Sequence, residues 1–525
     1  MPRFVHQLIT HTAQITPHKT ALIFKQQNYS YQDLQNNLEK LASAFTSLSI
    51  KRHDRIAVYL PKCPEAVLSL FASSASGGVF VPVNHVLKAA QVQHILTDCD
   101  VSILVTSSDR ARALQEVLPQ CEQLKHVILI DKMQDLSIPQ RVHVLPDLLN
   151  TVDAKPVNTA TDNDMAAILY TSGSTGKPKG VVLSHRNIVA GAESVSEYLC
   201  NHADDVILAL LPMSFDYGLN QITTAFLKGA TCVLMDYLLP GDVVKTIEKH
   251  GVTGLAAVPP LWQQLIKAKW SESAAASLRY FTNSGGAMPA PVLSELRGIF
   301  HNAKPYLMYG LTEAFRSTYL PPELVDERPG SMGRAIPNAE IMVVREDGSE
   351  CAPDEPGELV HRGPHVSLGY WNAPDKTAER FKPVPKSVSG LVLTEMAVWS
   401  GDTVKKDQDG FLYFVGRRDE MIKTSGYRVS PMEVEDACYA ASDLIDEVVA
   451  CGVSDPELGQ AIAVKIVLKK DAHLNEAEAL KLIKKDAPNF MHPKYLELVD
   501  ALPRNPNGKV DRSAISQELK SRYAQ

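Results

Sequence analysis

The sequence has no apolar run long enough to cross a membrane. Its first residues, Met1-Pro2-Arg3-Phe4-Val5-His6-Gln7, carry no signal-like apolar region. Its eight cysteines, Cys63, Cys99 and Cys232 among them, include no Cys-x-x-Cys pair, so reduced thiols in a cytoplasmic protein are the expectation. Positive charge is not in excess: a net charge of -7 and a pI near 6.2 give no reason to expect a nucleic-acid partner. There is no internal repeat, no low-complexity tract, and no Gly-x-Gly-x-x-Gly behind a strand to mark a dinucleotide-binding oxidoreductase. What remains is 45% hydrophobic and 22% charged, the balance of a globular protein. At 525 residues it is too long for one core and predicts two or more domains.

Up to about residue 160 the chain alternates helical and strand-like patterns. Leu34, Leu38, Leu41, Ala42 and Phe45 recur at helical spacing, and Arg55–Leu60, Gly77–Val83 and Val101–Thr106 read as strands. The alternation predicts a parallel α/β architecture. From 204 to 330 it continues, and three strands each deliver a polar or Gly-containing turn: Ser214-Phe215-Asp216-Tyr217-Gly218, Asn283-Ser284-Gly285-Gly286-Ala287 and Tyr309-Gly310-Leu311-Thr312-Glu313. In open α/β sheets ligands bind beyond such carboxyl ends. After about 335 short strands and turns predict a β-rich lobe, with 382–387 as its exposed loop. Helix and strand alternate again for about a hundred residues beyond Asp419. The expected division is 1–418 for a large domain and 419–525 for a small α+β one.

The centre of the sequence is Tyr170-Thr171-Ser172-Gly173-Ser174-Thr175-Gly176-Lys177-Pro178-Lys179-Gly180. A predicted strand, Ala166–Tyr170, leads into it; apolar Val181-Val182-Leu183 and a helix entry at Ser184-His185-Arg186-Asn187 follow. Glycines let backbone N–H groups approach an anion, and hydroxyls and ammonium groups add donors and charge, so the chemistry is that of a polyphosphate loop. It is not the Walker P-loop, because Thr171 stands where the first glycine belongs and Pro178 follows Lys177. The bland alternative is a mobile Gly/Ser hairpin.

The string resembles the phosphate loop of the adenylate-forming superfamily, which includes acyl-CoA synthetases, peptide-synthetase adenylation domains and luciferases, and the superfamily's other motifs follow in order. By that resemblance Thr171, Ser172, Gly173, Ser174, Thr175, Gly176 and Lys177 hold ATP phosphates. Gly285, Gly286 and Ala287 face adenine, with Asn283 beside the substrate; Tyr309 stacks on the base beside Gly310; Thr312 meets the α-phosphate; and Glu313 binds Mg²⁺, which usually takes one or two carboxylates and keeps several waters. Trp399-Ser400-Gly401-Asp402-Thr403 resembles the Thr-Gly-Asp motif whose Asp takes the ribose hydroxyls, with Ser400 in place of Thr. The same resemblance gives Arg417 a ribose or phosphate contact, makes Asp419 a hinge, sets Gly426 beside an incoming thiol arm and makes Lys509 the C-terminal catalytic lysine.

The acid-binding side departs from the common Pro-x-Phe-His-x-x-Gly pattern, since no His occurs in Ser214–Gly218. Phe215 and Asp216 resemble the Phe-Asp segment of peptide synthetases, whose Asp holds a substrate α-ammonium; Tyr217 completes this expected substrate set. A buried carboxylate needs a cation or several donors. Asp216 therefore faces a substrate amine or turns away to bond local backbone. The stretch through Leu219-Asn220-Gln221 is also similar to AMP-forming acyl-CoA ligases associated with the exosortase system.

The resemblance implies a two-step ligase using ATP and Mg²⁺. It activates a small carboxylic acid or amino acid as acyl-AMP and passes it to the phosphopantetheine of CoA or of a carrier protein. With 16 residues after Lys509, any carrier is expected on a separate chain. The alternatives are a plain acyl-CoA synthetase for a non-amino acid, a luciferase-like monooxygenase, and a nucleotide-sensing module, against which the presence of both Glu313 and Lys509 argues.

Overall fold

The computed structural model describes residues 1–133, 136–150, 160–171, 178–385, 390, 392–417, 420–424, 427–455, 458–487, 489–506 and 508–523. The chain forms two compact units, Met1–Ile341 with His361–Val398, and Met342–Val360 with Trp399–Gln525. Among the described residues no helix is long and apolar enough to cross a membrane.

Two sheets carry the first unit, and both are mainly parallel where the sequence alternates strand and helix. One runs in the order Arg141–Val144, His126–Leu129, Val101–Thr106, Arg55–Tyr59, Val79–Pro82, Met165–Thr171, Lys179–Ser184. Only its last pair is antiparallel, with Thr171 opposite Lys179, so the predicted phosphate loop joins two neighbouring strands. The second sheet includes, in order, Thr318–Leu320, Lys304–Tyr309, Tyr280–Asn283, Gly254–Ala257, Val206–Ala209, Thr231–Leu234 and Thr20–Phe24. The six strands from Lys304–Tyr309 to Thr20–Phe24 form five parallel pairs, and their carboxyl ends lie on one edge. Near-continuous apolar strands of this kind are buried on both faces, as parallel sheets require.

The helix His185–Tyr198 starts where the sequence predicts. The Ser184 hydroxyl accepts from the Asn187 amide at 3.1 Å, and Asn187 Oδ1 accepts from the Ser184 amide at 2.8 Å. Gly191 sits mid-helix, where glycine costs about 1 kcal/mol relative to alanine. The reason is packing: a Cβ there would lie 2.2 Å from Phe315 Cδ1.

The β-rich lobe departs from expectation at one place. Phe381–Pro383 is a short strand antiparallel to Met396–Val398, and Val384 is buried, so the start of the expected exposed loop is paired structure. Proline is tolerated there because the strand lies at an edge, where its missing N–H breaks no ladder.

The second unit has its own sheet of Ile422–Thr424, Tyr427–Val429, Ile445–Asp455, Gly459–Leu468 and Tyr495–Leu498. The helices Pro431–Ala441 and Glu476–Asp486 contribute Val434, Cys438 and Ile483 to a core with Val448, Val464 and Ile466. Ile515 and Leu519 of the helix Arg512–Arg522 join a second cluster with Val449, Val453 and Ala463.

Three buried histidines of the first unit, His185, His361 and His365, and the half-buried His6 contribute to its pH response. Burial lowers His185 to about 3, His6 and His365 to about 4, and His361 well below its usual value. Their folded values lie below the unfolded value of 6.5, so their stabilising contribution is present above pH 6.5 and is lost as pH falls towards 3–4. Calorimetry should show the thermal midpoint falling from pH 7 to pH 4.5; a flat profile would mean that these imidazoles are protonated within the fold.

Candidate active site

The turns expected to bind ligand lie together at the carboxyl edge of the second sheet. Asn283 pairs with Leu307 across neighbouring parallel strands, so its turn and the Tyr309-Gly310 turn emerge side by side. Asn283 is buried; its Nδ2 donates to Gly286 O at 3.0 Å, while its Oδ1 has no partner among the described residues. Gly285 has φ 81°, and Gly286 and Ala287 are exposed, leaving a small-residue ledge open beside Tyr309. Thr312 and Glu313 follow in a 3₁₀ turn, Thr312–Ala314.

Glu313 is held by a residue that sequence reading missed. Tyr370 Oη donates to Glu313 Oε1 at 2.5 Å, and the Ser367 amide donates to the Glu313 carbonyl at 2.8 Å. Tyr370 arrives because the segment 368–371 hydrogen-bonds alongside the strand Lys179–Ser184: Leu368 and Trp371 amides donate to Val182 and Gly180 carbonyls. Lys179, the first described lysine after the phosphate loop, lies 5.3 Å from the Tyr370 ring centroid. Burial, then repulsion from Lys376 and Arg380, lowers its pKa, with Glu313 partly opposing. The strand that follows the expected phosphate loop and the Thr-Glu turn thus bring one ammonium group and one carboxylate to Tyr370. A single carboxylate held at one oxygen is a donor set that fits Mg²⁺. Because Tyr370 orients that carboxylate, Tyr370→Phe should raise the Mg²⁺ concentration for half-maximal activity about tenfold. An unchanged Mg²⁺ titration would exclude this positioning role.

Asp216 corrects both sequence expectations. It begins the helix Asp216–Lys228 and is 2% exposed, yet it neither opens towards an amine nor bonds its local backbone. Thr312 Oγ1 donates to its Oδ1 at 3.1 Å, and Arg316 Nη1 donates to its Oδ2 at 2.8 Å. Arg316, only 1% exposed, stacks over Tyr217 with Cζ 4.6 Å from the ring centroid. The backbone bends to place it. Phe315 has φ 55°, ψ −42°, and the Arg316 amide donates to Ala314 O at 2.6 Å, a strained three-residue turn. Tyr217 is itself buried and hydrogen-bonded to the Thr282 hydroxyl, and Phe215 packs edge-on against it. Arg316 lies only three residues past Glu313; that proximity is the one sequence signal that could have found it.

The second unit holds the remaining described candidates. Asp402 is buried and faces Arg417 across antiparallel strands, with Arg417 Nε 3.5 Å from Asp402 Oδ1. Arg417 is 59% exposed at its side chain, so the pair is solvated, and Glu420 Oε1 lies 3.8 Å from its Nη1. Ser400 Oγ donates to Leu359 O at 2.7 Å and accepts from the Asp402 amide at 3.1 Å. That work needs a hydroxyl, which is why serine can stand where the resembling motif has threonine.

Lys509 lies on a turn fixed at both ends. The Asn505 amide donates to Lys509 O at 2.8 Å, the Lys509 amide donates to Asn505 Oδ1 at 3.1 Å, and Gly508 has φ 78°. Just beyond, Arg512 forks onto Glu435 at 2.7 and 2.5 Å, and Glu435 also accepts from the Ala450 amide at 2.8 Å. The Arg512 side chain is 35% exposed, so the pair is partly screened. Glu435→Ala should therefore cost about 1–3 kcal/mol of the second unit's stability, read by denaturant unfolding. A loss below about 0.5 kcal/mol would mean that the fork does not anchor this turn.

Ser172, Gly173, Ser174, Thr175, Gly176, Lys177, Asp419 and Gly426 lie outside the described residues.

Comparison with known proteins finds two family matches along the chain. A family profile described as "AMP-binding enzyme" matches residues 9–371, and one described as "AMP-binding enzyme C-terminal domain" matches residues 433–509. The chain is 26% identical over 548 residues to a long-chain-fatty-acid–CoA ligase of Bacillus subtilis, covering 98% of this chain and 94% of that one. It is 28% identical to a segment of a linear gramicidin synthase of Brevibacillus parabrevis, covering 97% of this chain and 6% of that protein. Among solved structures, o-succinylbenzoate coenzyme A synthetase from Bacillus subtilis, in complex with ATP and magnesium ion, superposes with a TM-score of 0.81 at 25% identity, over 97% of this chain and 99% of that one.

Proposed function

The chain belongs to the family of AMP-binding enzymes, and we propose that it is an ATP- and Mg²⁺-dependent, AMP-forming acid–thiol ligase. The observation that supports this reading is that Tyr370 joins Glu313 of the Thr-Glu turn to Lys179, at the end of the expected phosphate loop. CoA ligases among the relatives support the reaction class.

In the first step an oxygen of the acid's carboxylate attacks the α-phosphorus of ATP. The bond to the bridging oxygen of pyrophosphate breaks, and acyl-AMP forms. Thr312 offers its hydroxyl to the α-phosphate, and Mg²⁺ held at Glu313 would neutralise phosphate charge there. Lys509 stabilises charge developing on the reacting oxygens, the preorganised electrostatic role that catalysis of this kind needs. Asp402 and Arg417 hold the ribose, and Tyr309 the base. In the second step a thiolate attacks the acyl carbonyl, the thioester forms and AMP leaves. We place a hinge at Asp419, with 419–525 turning to withdraw Lys509 and bring Gly426 to the thiol arm. The boundary 418/419 is part of this proposal.

CoA is the acceptor that the ligase relatives favour. The similarity to a peptide-synthetase segment supports a separate phosphopantetheinyl carrier protein as the other acceptor. A cytoplasmic setting, where ATP and CoA are available, belongs to the same reading. The test is a screen of carboxylic and amino acids for acid-dependent pyrophosphate and AMP release, followed by mass detection of the thioester on CoA or a carrier. ADP and orthophosphate as products would refute it.

A further inference from the structure

Arg316 has hydrogen-bonding capacity that the protein leaves unused. Nη1 is committed to Asp216, but Nε and Nη2 have no partner among the described residues, although the side chain is 1% exposed. Buried guanidinium donors are seldom left unbonded, because each has given up water without replacement. The site around them is the one at which the acid must react. Nη1 lies 3.4 Å from where a Cβ of Gly310 would stand, Thr312 shares Asp216 with Arg316, and Tyr217 carries the guanidinium on its face. The strained turn at Phe315 holds Arg316 in this place, and such strain concentrates at functional positions.

Behind Tyr217 lies a small cavity of about 20 Å³, lined by Tyr217, Asn220, Thr224, Thr282 and Met308 among others. Asn220 Nδ2 and Thr224 Oγ1, both buried, are also without partners among the described residues. An occupant of this cavity without hydrogen-bonding atoms would leave the Asn220 and Thr224 groups unbonded.

We propose that Arg316 is a specificity-determining residue that uses Nε and Nη2 to bind a neutral oxygen carried by the acid near its reacting carboxylate, so that the substrates are small hydroxy- or oxo-acids. This rests on the acid-activating reading above. Asp216 already balances the guanidinium charge, so a second carboxylate would bring a buried negative charge with no cation to match it. An ammonium group, which only donates, would face donors. A hydroxyl or keto oxygen accepts from both nitrogens and leaves the pocket neutral.

The experiment measures pyrophosphate release by the full chain with butanoate, 3-hydroxybutanoate, 3-oxobutanoate, 3-aminobutanoate, succinate and dodecanoate. Sites built to bond a substrate hydroxyl reject the analogue lacking it strongly, so kcat/KM for the hydroxy- or oxo-acid should exceed that for butanoate by about a hundredfold or more. In Arg316→Met the ratio should fall below about tenfold. The double variant Asp216→Asn with Arg316→Met, which removes both charges and so avoids an unpaired buried carboxylate, should show the same collapse. ATP affinity, read by calorimetry, should be retained in it. Equal use of butanoate and 3-hydroxybutanoate by the parent, a preference for succinate, 3-aminobutanoate or dodecanoate, or an unchanged ratio in the double variant would each overturn the proposal while leaving the ligase reading intact. A parent that releases pyrophosphate with no acid at all, across this panel and the wider screen, would overturn the ligase reading itself.

Discussion

Replacing Lys509 by alanine is expected to slow acyl-adenylate formation about a hundredfold or more, while thioester formation from supplied acyl-AMP survives. The magnitude is that of losing one preorganised donor at the transition state. The selectivity follows from the proposed division of labour, in which the lysine serves the attack on phosphorus and is withdrawn before the thiol arrives. Lys509 is built for a fixed position: the Asn505 bonds close its turn, and Arg512 ties the following helix to Glu435 three residues later. Single-turnover measurements of each half-reaction read the effect. Equal loss in both halves would contradict separate active conformations.

The second large effect is on stability. Asp216→Ala leaves the Arg316 guanidinium buried with no carboxylate, and breaking a buried pair by removing one partner costs about 3–5 kcal/mol. Thr312 loses its acceptor in the same change. The variant should therefore unfold at distinctly lower denaturant concentration. A carboxylate waiting for a substrate amine would behave differently: its removal would relieve a buried charge and chiefly change the ranking of amino acids against their deamino analogues. A stability change below about 1 kcal/mol with loss of amine selectivity would restore the amine-facing assignment.

What the sequence makes legible is what lies contiguous in it. The strand leading into the phosphate loop is Met165–Thr171 for an expected Ala166–Tyr170, because apolar runs flank a block of glycines and hydroxyls. The helix entry at Ser184 is legible because capping is a local interaction. The partners of Asp216 and Glu313 are not. Arg316 is 100 residues from Asp216, and Tyr370 is 57 from Glu313. Arg316 depends on a backbone turn that no residue preference announces, since Phe315 at positive φ is against its bias. Tyr370 depends on a segment adding to a strand edge formed nearly two hundred residues earlier. The expectation for Asp216 fails for the same reason. A Phe-Asp dipeptide carries no information about which cation will meet it. The likeness of Ser214–Gln221 to exosortase-associated ligases is a finer grouping than the family relationship that the comparisons establish.

The central claim is that a carboxylate oxygen of the acid attacks the α-phosphorus of ATP. It is tested most directly by supplying an activated acid labelled with ¹⁸O in its carboxylate, together with ATP, Mg²⁺ and CoA, and weighing the products. The account predicts one ¹⁸O atom in the phosphate of AMP for each thioester formed and none in pyrophosphate. Label in orthophosphate, with ADP as the nucleotide product, would show attack at the γ-phosphorus and contradict it.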